Sequence, residues 1–258
     1  MIIEYLIKLK FITLKRCALQ TFVVAEIGSN WEGNLQKAEK LIKKCSEAGA
    51  DAVKFQMWRA TDLYSDTHPS WNFIKKSEIT FNMATKLKKI ADNESVEFFC
   101  SAFYPEAVDF LEKLNVKRYK VASRTCLFKD RYSRETIERK AATKKPIIIS
   151  MGMGGNKQKI KKLFSNNKLT FCYCISEYPL RYEKINWTEA LKFDGFSDHT
   201  LGITAPIVFT TLKKFHGAKK ILIEKHVKLE ESKGPDAPTS ITINQLSELI
   251  SHIRLIEK

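Results

Sequence analysis

No apolar run in this chain of 258 residues is long enough to cross a membrane as a helix. The opening stretch MIIEYLIKLKFITLKR is broken by Glu4, Lys8, Lys10 and Lys15, and no small-residue cleavage site follows an uninterrupted apolar core. It is therefore a poor signal peptide. For residues 1–21, an N-terminal extension, three readings stay open: a mitochondrial-type leader, a misassigned upstream start, or an extra strand or helix plugging the base of a barrel. The sequence also lacks internal repeats, low-complexity tracts and interdomain linkers, which leaves one domain over residues 22–258. No C-x-x-C pattern occurs among Cys17, Cys45, Cys100, Cys126, Cys172 and Cys174, so zinc-ribbon and dithiol redox motifs are excluded. Buried free thiols in a reducing cytoplasm are expected instead.

Acidic residues are the scarcer charge, 29 against 44 basic ones, for a formal net charge of +15. Such a balance suits nucleic acid, an acidic surface or small anionic substrates. The lysines fall mostly in pairs at helical spacing, such as Lys43 with Lys44, Lys88 with Lys89, Lys161 with Lys162 and Lys213 with Lys214, without interleaved aromatics. They read as solvated helix faces, and neither a nucleic-acid groove nor a membrane surface is expected.

What the sequence does contain is eight short β-branched or aromatic runs, at residues 22–26, 50–55, 95–99, 118–122, 146–150, 169–174, 193–197 and 221–225. Helical periodicity fills the gaps between them, giving seven intervening helices. Asn34 is a candidate N-cap for the stripe Leu35, Ala38, Leu41, Ile42, Cys45 and Ala48, which Gly49 stops. Pro105 opens another helix, and Ile243, Leu246, Leu249, Ile250, Ile253 and Ile256 form a closing stripe. The stretch 56–94 is too long for one helix alone and must hold a loop as well. Eight such units predict an α/β fold of the (β/α)8 TIM-barrel class, with a doubly wound open sheet as the alternative.

In a barrel, chemistry sits at the carboxyl-terminal mouth. Glu26, Lys54, Gln56, Ser101, Lys120 and Ser123 fall at the ends of the first four strands; Ser150, Ser176, Tyr178, Ser197, His199, Lys225 and His226 fall at the ends of the others. So many polar groups on buried strands imply solvent or a ligand at their point of convergence. His199 and His226 are about one repeat apart and can share a divalent cation, with oxygen or water completing its shell. Lys54, Lys120 and Lys225, with Ser123, Ser150 and Ser197, suit an oxyanion such as phosphate or carboxylate. Gly152 and Gly154 would let backbone amides approach that anion. Glu26 is a candidate acid or base. Asp198 and Glu224, adjacent to the histidines, are assigned by alternation to the opposite side.

The segments AEIGSN-x-x-G (25–33), EAGADAVKFQ (47–56), FFCSAF-x-x-x-AVDFLEKL (98–114), YKVAS (119–123), KPIIISMGM (145–153), CISEYPL (174–180), GFSDHTLG (195–202) and IEKHVKL followed by GPD (223–236) resemble the sialic acid synthase family. The resemblance implies condensation of phosphoenolpyruvate with N-acetylmannosamine or a related aldehyde amino sugar to a nonulosonic acid, with release of phosphate. It implies that His199 and His226 ligate manganese or magnesium, and that Lys54, Lys120, Ser123, Ser150 and Ser197 hold phosphoenolpyruvate. Gln56, Tyr178 and Asp236 would face the sugar, while Ser101 and Ser176 join the substrate-binding set. Glu26 would assist proton movement or orient water, and a homodimer is implied.

Three departures are expected to matter. Trp31 stands where the family has a histidine, and Thr125 where it has a sugar-contacting carboxylate. The match also covers the barrel alone, so an antifreeze-like domain would come from a separate polypeptide. A barrel that only binds phosphorylated ligands, or one that makes a different 2-keto sugar acid, is the competing expectation.

Overall fold

Strands β1 (Gln20–Glu26), β2 (Ala52–Met57), β3 (Glu97–Ala102) and β4 (Tyr119–Val121) follow one another as parallel neighbours in the computed structural model, which describes residues 19–258. Strands β5 (Ile147–Ser150), β6 (Leu169–Tyr173), β7 (Gly195–Asp198) and β8 (Lys220–Lys228) continue the order, and β8 pairs with β1 to close the barrel. The open-sheet alternative is thereby excluded. A two-residue strand, β9 (Ile241–Thr242), adds to the far end of β8. Most of the expected N-terminal extension, with Cys17, lies outside the described residues, and β1 begins two residues before the run at 22–26.

Helices α1 (Leu35–Glu47), α5 (Pro105–Lys113), α6 (Ser133–Ala142) and α7 (Lys157–Leu163) each join successive strands. Between β2 and β3, where one helix and a loop are expected, three helices occur: α2 (Ala60–Leu63), α3 (Trp71–Lys76) and α4 (Phe81–Asn93). Both strands also run on, to Met57 and Ala102, carrying Gln56 and Ser101 inside the sheet. The turn α8 (Trp187–Ala190), then α9 (Thr204–Phe215) and α10 (Ile243–Glu257), complete the outer layer.

The helices form where the stripes placed them. The Asn34 side chain accepts a hydrogen bond from the Lys37 amide at 3.1 Å, and Ala38, Leu41, Ile42 and Cys45 of α1 are fully buried against the sheet. Leu41 and Ile42 each contribute about 1.5–3 kcal/mol by leaving water. Thr242 and Gln245 cap α10 reciprocally, and Leu246, Leu249, Ile250 and Ile253 seal its inner face. At the base, Arg254 reaches from α10 to Asp51 (2.9 Å) and to the Thr21 carbonyl (2.8 Å). Lys43, Lys44, Lys161 and Lys162 are exposed, whereas Lys213 is half-buried and donates to the Leu191 and Phe193 carbonyls.

Inside the barrel the strands alternate strictly. Val24, Ala52, Phe99, Ile148, Cys172 and Leu222 form a separate apolar disc, with the opposite-parity residues packed outward against the helices. Two residues farther along those same strands come Glu26, Lys54, Ser101, Ser150, Cys174 and Glu224. The polar mouth is thus the next layer above a dry floor.

Candidate functional site

Above that floor opens a cavity of about 460 Å³. The site residues expected from the sequence line it except Glu26, which is fully buried just behind the wall, and Lys225, Gly152 and Gly154. Glu26 accepts from Gln56 Nε2 at 2.7 Å and pairs with Lys54 Nζ at 2.5 Å. Gly28, at φ +52°, brings the chain so close that a Cβ there would meet Asp236 Oδ2 at 2.6 Å. That carboxylate oxygen accepts from the Ser29 amide and hydroxyl at 2.9 and 2.6 Å, which fixes Asp236 at the rim.

The middle of the cavity is a compensated charge cluster. Lys120 Nζ donates to both oxygens of Glu224 (2.9 and 3.0 Å) and to Ser150 Oγ (2.8 Å). Lys54 Nζ lies 3.5 Å from Glu224 Oε2 and 3.3 Å from Ser101 Oγ, and Ser197 Oγ donates to Glu224 Oε1 at 2.8 Å. Burial would push the Glu224 carboxyl up, but Lys120 and Lys54 outweigh it and hold it well below the usual range. Burial likewise would lower Lys120, and Glu224 outweighs it, so the ammonium stays charged. For Glu26 burial wins over Lys54, and the nearby Glu224 adds to it, pushing the carboxyl up to about 7.

Two expectations are corrected here. Glu224 faces the cavity, because it shares strand parity with His226. Lys225, one residue out of phase, is turned away: its Nζ is fully buried on Asp198 Oδ2 at 2.7 Å and on the Thr200 carbonyl. The lysine pair facing the anion position is Lys54 and Lys120.

The His199 and His226 rings lie side by side, tilted by 47° with centroids 5.6 Å apart, close enough for one ion with nitrogen–metal bonds of about 2.0–2.1 Å. His199 Nδ1 lies 2.8 Å from the Ile175 carbonyl, a contact that, as an Nδ1–H donor, leaves Nε2 free as a ligand. His226 Nδ1 is buried without a hydrogen-bond partner, and burial lowers the ring's pKa toward the neutral, ligating form. This chemistry fits a divalent cation held by two imidazoles. Among the described residues no group of three or more His, Cys, Asp or Glu side chains comes together as a metal site, so oxygens of substrate or water would fill the shell. Tyr178 packs on His199 with ring centroids 4.1 Å apart and the planes tilted by 35°.

The glycine expectation is also corrected. The Gly152 amide is spent on Ser123 Oγ (2.9 Å) and that of Gly154 on the Met151 carbonyl (3.0 Å), so neither is free for an anion. Gly152 is required for space: a Cβ would sit 2.8 Å from Cys174 Sγ and 2.9 Å from the Cys174 carbonyl. Gly152→Ala is expected to destabilise the protein by about 1–3 kcal/mol by overpacking. A thermal melt tests this, and an unchanged midpoint would show that the wall yields freely.

Of the departures, Trp31 is 1% exposed in the core between helix and sheet, outside the cavity. Thr125 is buried and opens a short 3-10 turn behind the wall. Its neighbour Arg124 does line the cavity, paired with Asp130 at 2.9 Å and lying over the Tyr64 ring. Trp58, Tyr64 and Phe103 complete an aromatic wall there. Sequence reasoning missed these residues and Cys174. For Cys174 the signal was present, since it shares parity with Cys172 and lies one strand step above it.

The NeuB family profile matches residues 41–258. The chain is 35% identical over 251 residues to an uncharacterized protein of Methanocaldococcus jannaschii, covering 92% of this chain and 71% of the relative. It is 31% identical over 278 residues to the N,N'-diacetyllegionaminic acid synthase of Legionella pneumophila, covering 96% and 75%. In fold it is similar to the N-acetylneuraminic acid synthetase of Leptospira borgpetersenii, with a TM-score of 0.82, 24% identity, and coverage of 92% and 84%.

Proposed function

The chain belongs to the NeuB family, and we propose that it condenses phosphoenolpyruvate with an open-chain aldehyde amino sugar, in the cytoplasm, to give a 2-keto sugar acid and phosphate. The observation that carries this reading is the convergence, in one cavity, of two adjacent imidazoles and two buried ammonium groups. Lys54, Lys120, Ser123, Ser150 and Ser197 would bind the phosphate and carboxylate of phosphoenolpyruvate, with Ser101 and Ser176 in the surrounding wall. Glu224 keeps both ammonium groups aimed inward and compensated before the anion arrives. Gln56, Tyr178 and Asp236 would orient the sugar at the rim.

His199 and His226 would hold manganese or magnesium, which when bound supplies Lewis-acid polarisation of the aldehyde. C3 of phosphoenolpyruvate forms the new bond to the aldehyde carbon, water adds at C2, and the tetrahedral intermediate expels phosphate. Glu26, joined to Gln56 and Lys54, would orient that water or carry its proton. Positioning and fixed charges supply most of such a barrier reduction.

A second reading concerns the acceptor. Thr125 lies behind the wall where the resemblance leads one to expect a sugar-contacting carboxylate, and Arg124 with Trp58 and Tyr64 faces the cavity instead. This favours an acceptor other than N-acetylmannosamine. Phosphate release from phosphoenolpyruvate, measured with manganese or magnesium across a panel of aldoses and amino sugars, decides between them. Release with an amino sugar, and the matching 2-keto acid by mass spectrometry, are expected; release with N-acetylmannosamine as the best acceptor would overturn the second reading. No release with any acceptor at saturating metal would overturn the synthase in favour of a barrel that only binds phosphorylated ligands.

A further inference from the structure

The shortest strand ladder of the barrel runs through the cavity wall. Strands β1 and β8 register from Gln20 with Lys220 to Glu26 with His226, and β2 and β3 from Ala52 with Glu97 to Met57 with Ala102. Between β3 and β4 a single pair registers, Ser101 with Lys120. Both of those residues line the cavity, and Lys120 carries one of its two inward ammonium groups. Strand β5 holds β4 from the other side through Tyr119–Val121, so the short ladder leaves few backbone hydrogen bonds on the β3 side alone to fix the residue on which anion binding depends.

Behind the seam lies a lysine that the proposed chemistry does not use. Lys140, on α6, is fully buried, and its Nζ donates to the Ala102 carbonyl at 2.8 Å and the Lys120 carbonyl at 2.9 Å. Among the described residues it forms no salt bridge with a carboxylate. Burial lowers its pKa to about 7, so the side chain is held there at a cost that two carbonyl contacts partly offset. Its two acceptors are the backbone of Lys120 itself and of the residue directly after Ser101.

We infer that Lys140 is a positioning residue: it staples β3 to β4 from the helix layer and so holds Lys120 and Ser101 at the geometry that binds the anionic co-substrate. The inference rests on the proposed phosphoenolpyruvate site for its functional consequence, but the staple itself can be read without any ligand.

Lys140→Met keeps the side chain's length and removes its donors. Ile137→Ala, on the same helix and equally buried, serves as a control that loosens packing without touching the seam. Hydrogen exchange at the Lys120 amide, which faces β3 while the Tyr119 amide donates to the Pro146 carbonyl on the β5 side, is expected to speed up about tenfold in Lys140→Met and to change little in Ile137→Ala. Calorimetric titration with phosphoenolpyruvate is expected to show a dissociation constant about tenfold weaker in Lys140→Met, with the sugar KM unchanged. If Lys140→Met does not fold, Lys140→Gln, which retains an N–H donor at shorter reach, is expected to show the same changes at about threefold.

Unchanged exchange at the seam overturns the staple, whatever the ligand. Faster exchange with unchanged phosphoenolpyruvate affinity overturns the positioning role, as does equal weakening in Ile137→Ala. Wild-type protein that binds no phosphoenolpyruvate sinks the proposed function and the positioning role with it, while the exchange measurement still decides the staple.

Discussion

Replacing His226 with alanine is expected to lower phosphate release from phosphoenolpyruvate by about a thousandfold while leaving the barrel folded. The ring makes no hydrogen bond through its buried Nδ1, so its removal breaks no network on that side. What is lost is one of two imidazoles set 5.6 Å apart for a shared cation. Lewis-acid assistance is worth several kcal/mol, and about 4 kcal/mol corresponds to a factor of about a thousand. His199 alone would offer the ion a single nitrogen, Nε2, so the site would keep one imidazole ligand of two. The check is a steady-state assay beside a metal titration of the same variant. A His226→Ala enzyme that keeps wild-type turnover and metal affinity would refute the two-histidine site.

Removing Lys120 is expected to produce the largest change in stability. Lys120→Met leaves Glu224, whose side chain is 6% exposed, with Lys54 at 3.5 Å and the Ser197 hydroxyl as its remaining close partners. Breaking a buried pair from one side typically costs about 3–5 kcal/mol, because the surviving charge stays desolvated. Urea denaturation of the ligand-free protein measures this directly. The double variant Lys120→Met with Glu224→Leu is expected to recover most of the loss, since Lys54 and Glu26 still compensate each other at 2.5 Å. A double variant no more stable than the single one would show that the cluster is not held by pairwise compensation. Both variants are expected to lose phosphoenolpyruvate binding, which separates the anion site from the stability ledger of the fold.

These expectations rest on features that were unevenly legible in the sequence. The strands were readable because each carries a short β-branched core, and the helix stripes because apolar residues recur at helical spacing up to a glycine or asparagine stop. Most mouth residues follow from the strand ends, whereas Asp236 follows only from the resemblance. Glu224 and Lys225 were assigned to the wrong faces, although residues 222, 224 and 226 share one parity and Leu222 belongs to the apolar disc. Trp58, Tyr64 and Arg124 could not be placed, because they sit on connections whose path is set by tertiary contacts rather than by period. In the sequence Lys140 is one more cation on a charged helix. Only its burial against two carbonyls distinguishes it from Arg139, whose guanidinium pairs with Asp109 at the surface.

The apolar disc of Val24, Ala52, Phe99, Ile148, Cys172 and Leu222 has a consequence for how such a molecule can change over time. Each of these residues stands one strand step below a residue of the polar mouth layer, so the insulation that seals the chamber from beneath and the groups above it are encoded by different codons. Selection can therefore exchange the upper tier for a new specificity while the tier below continues to keep the barrel shut.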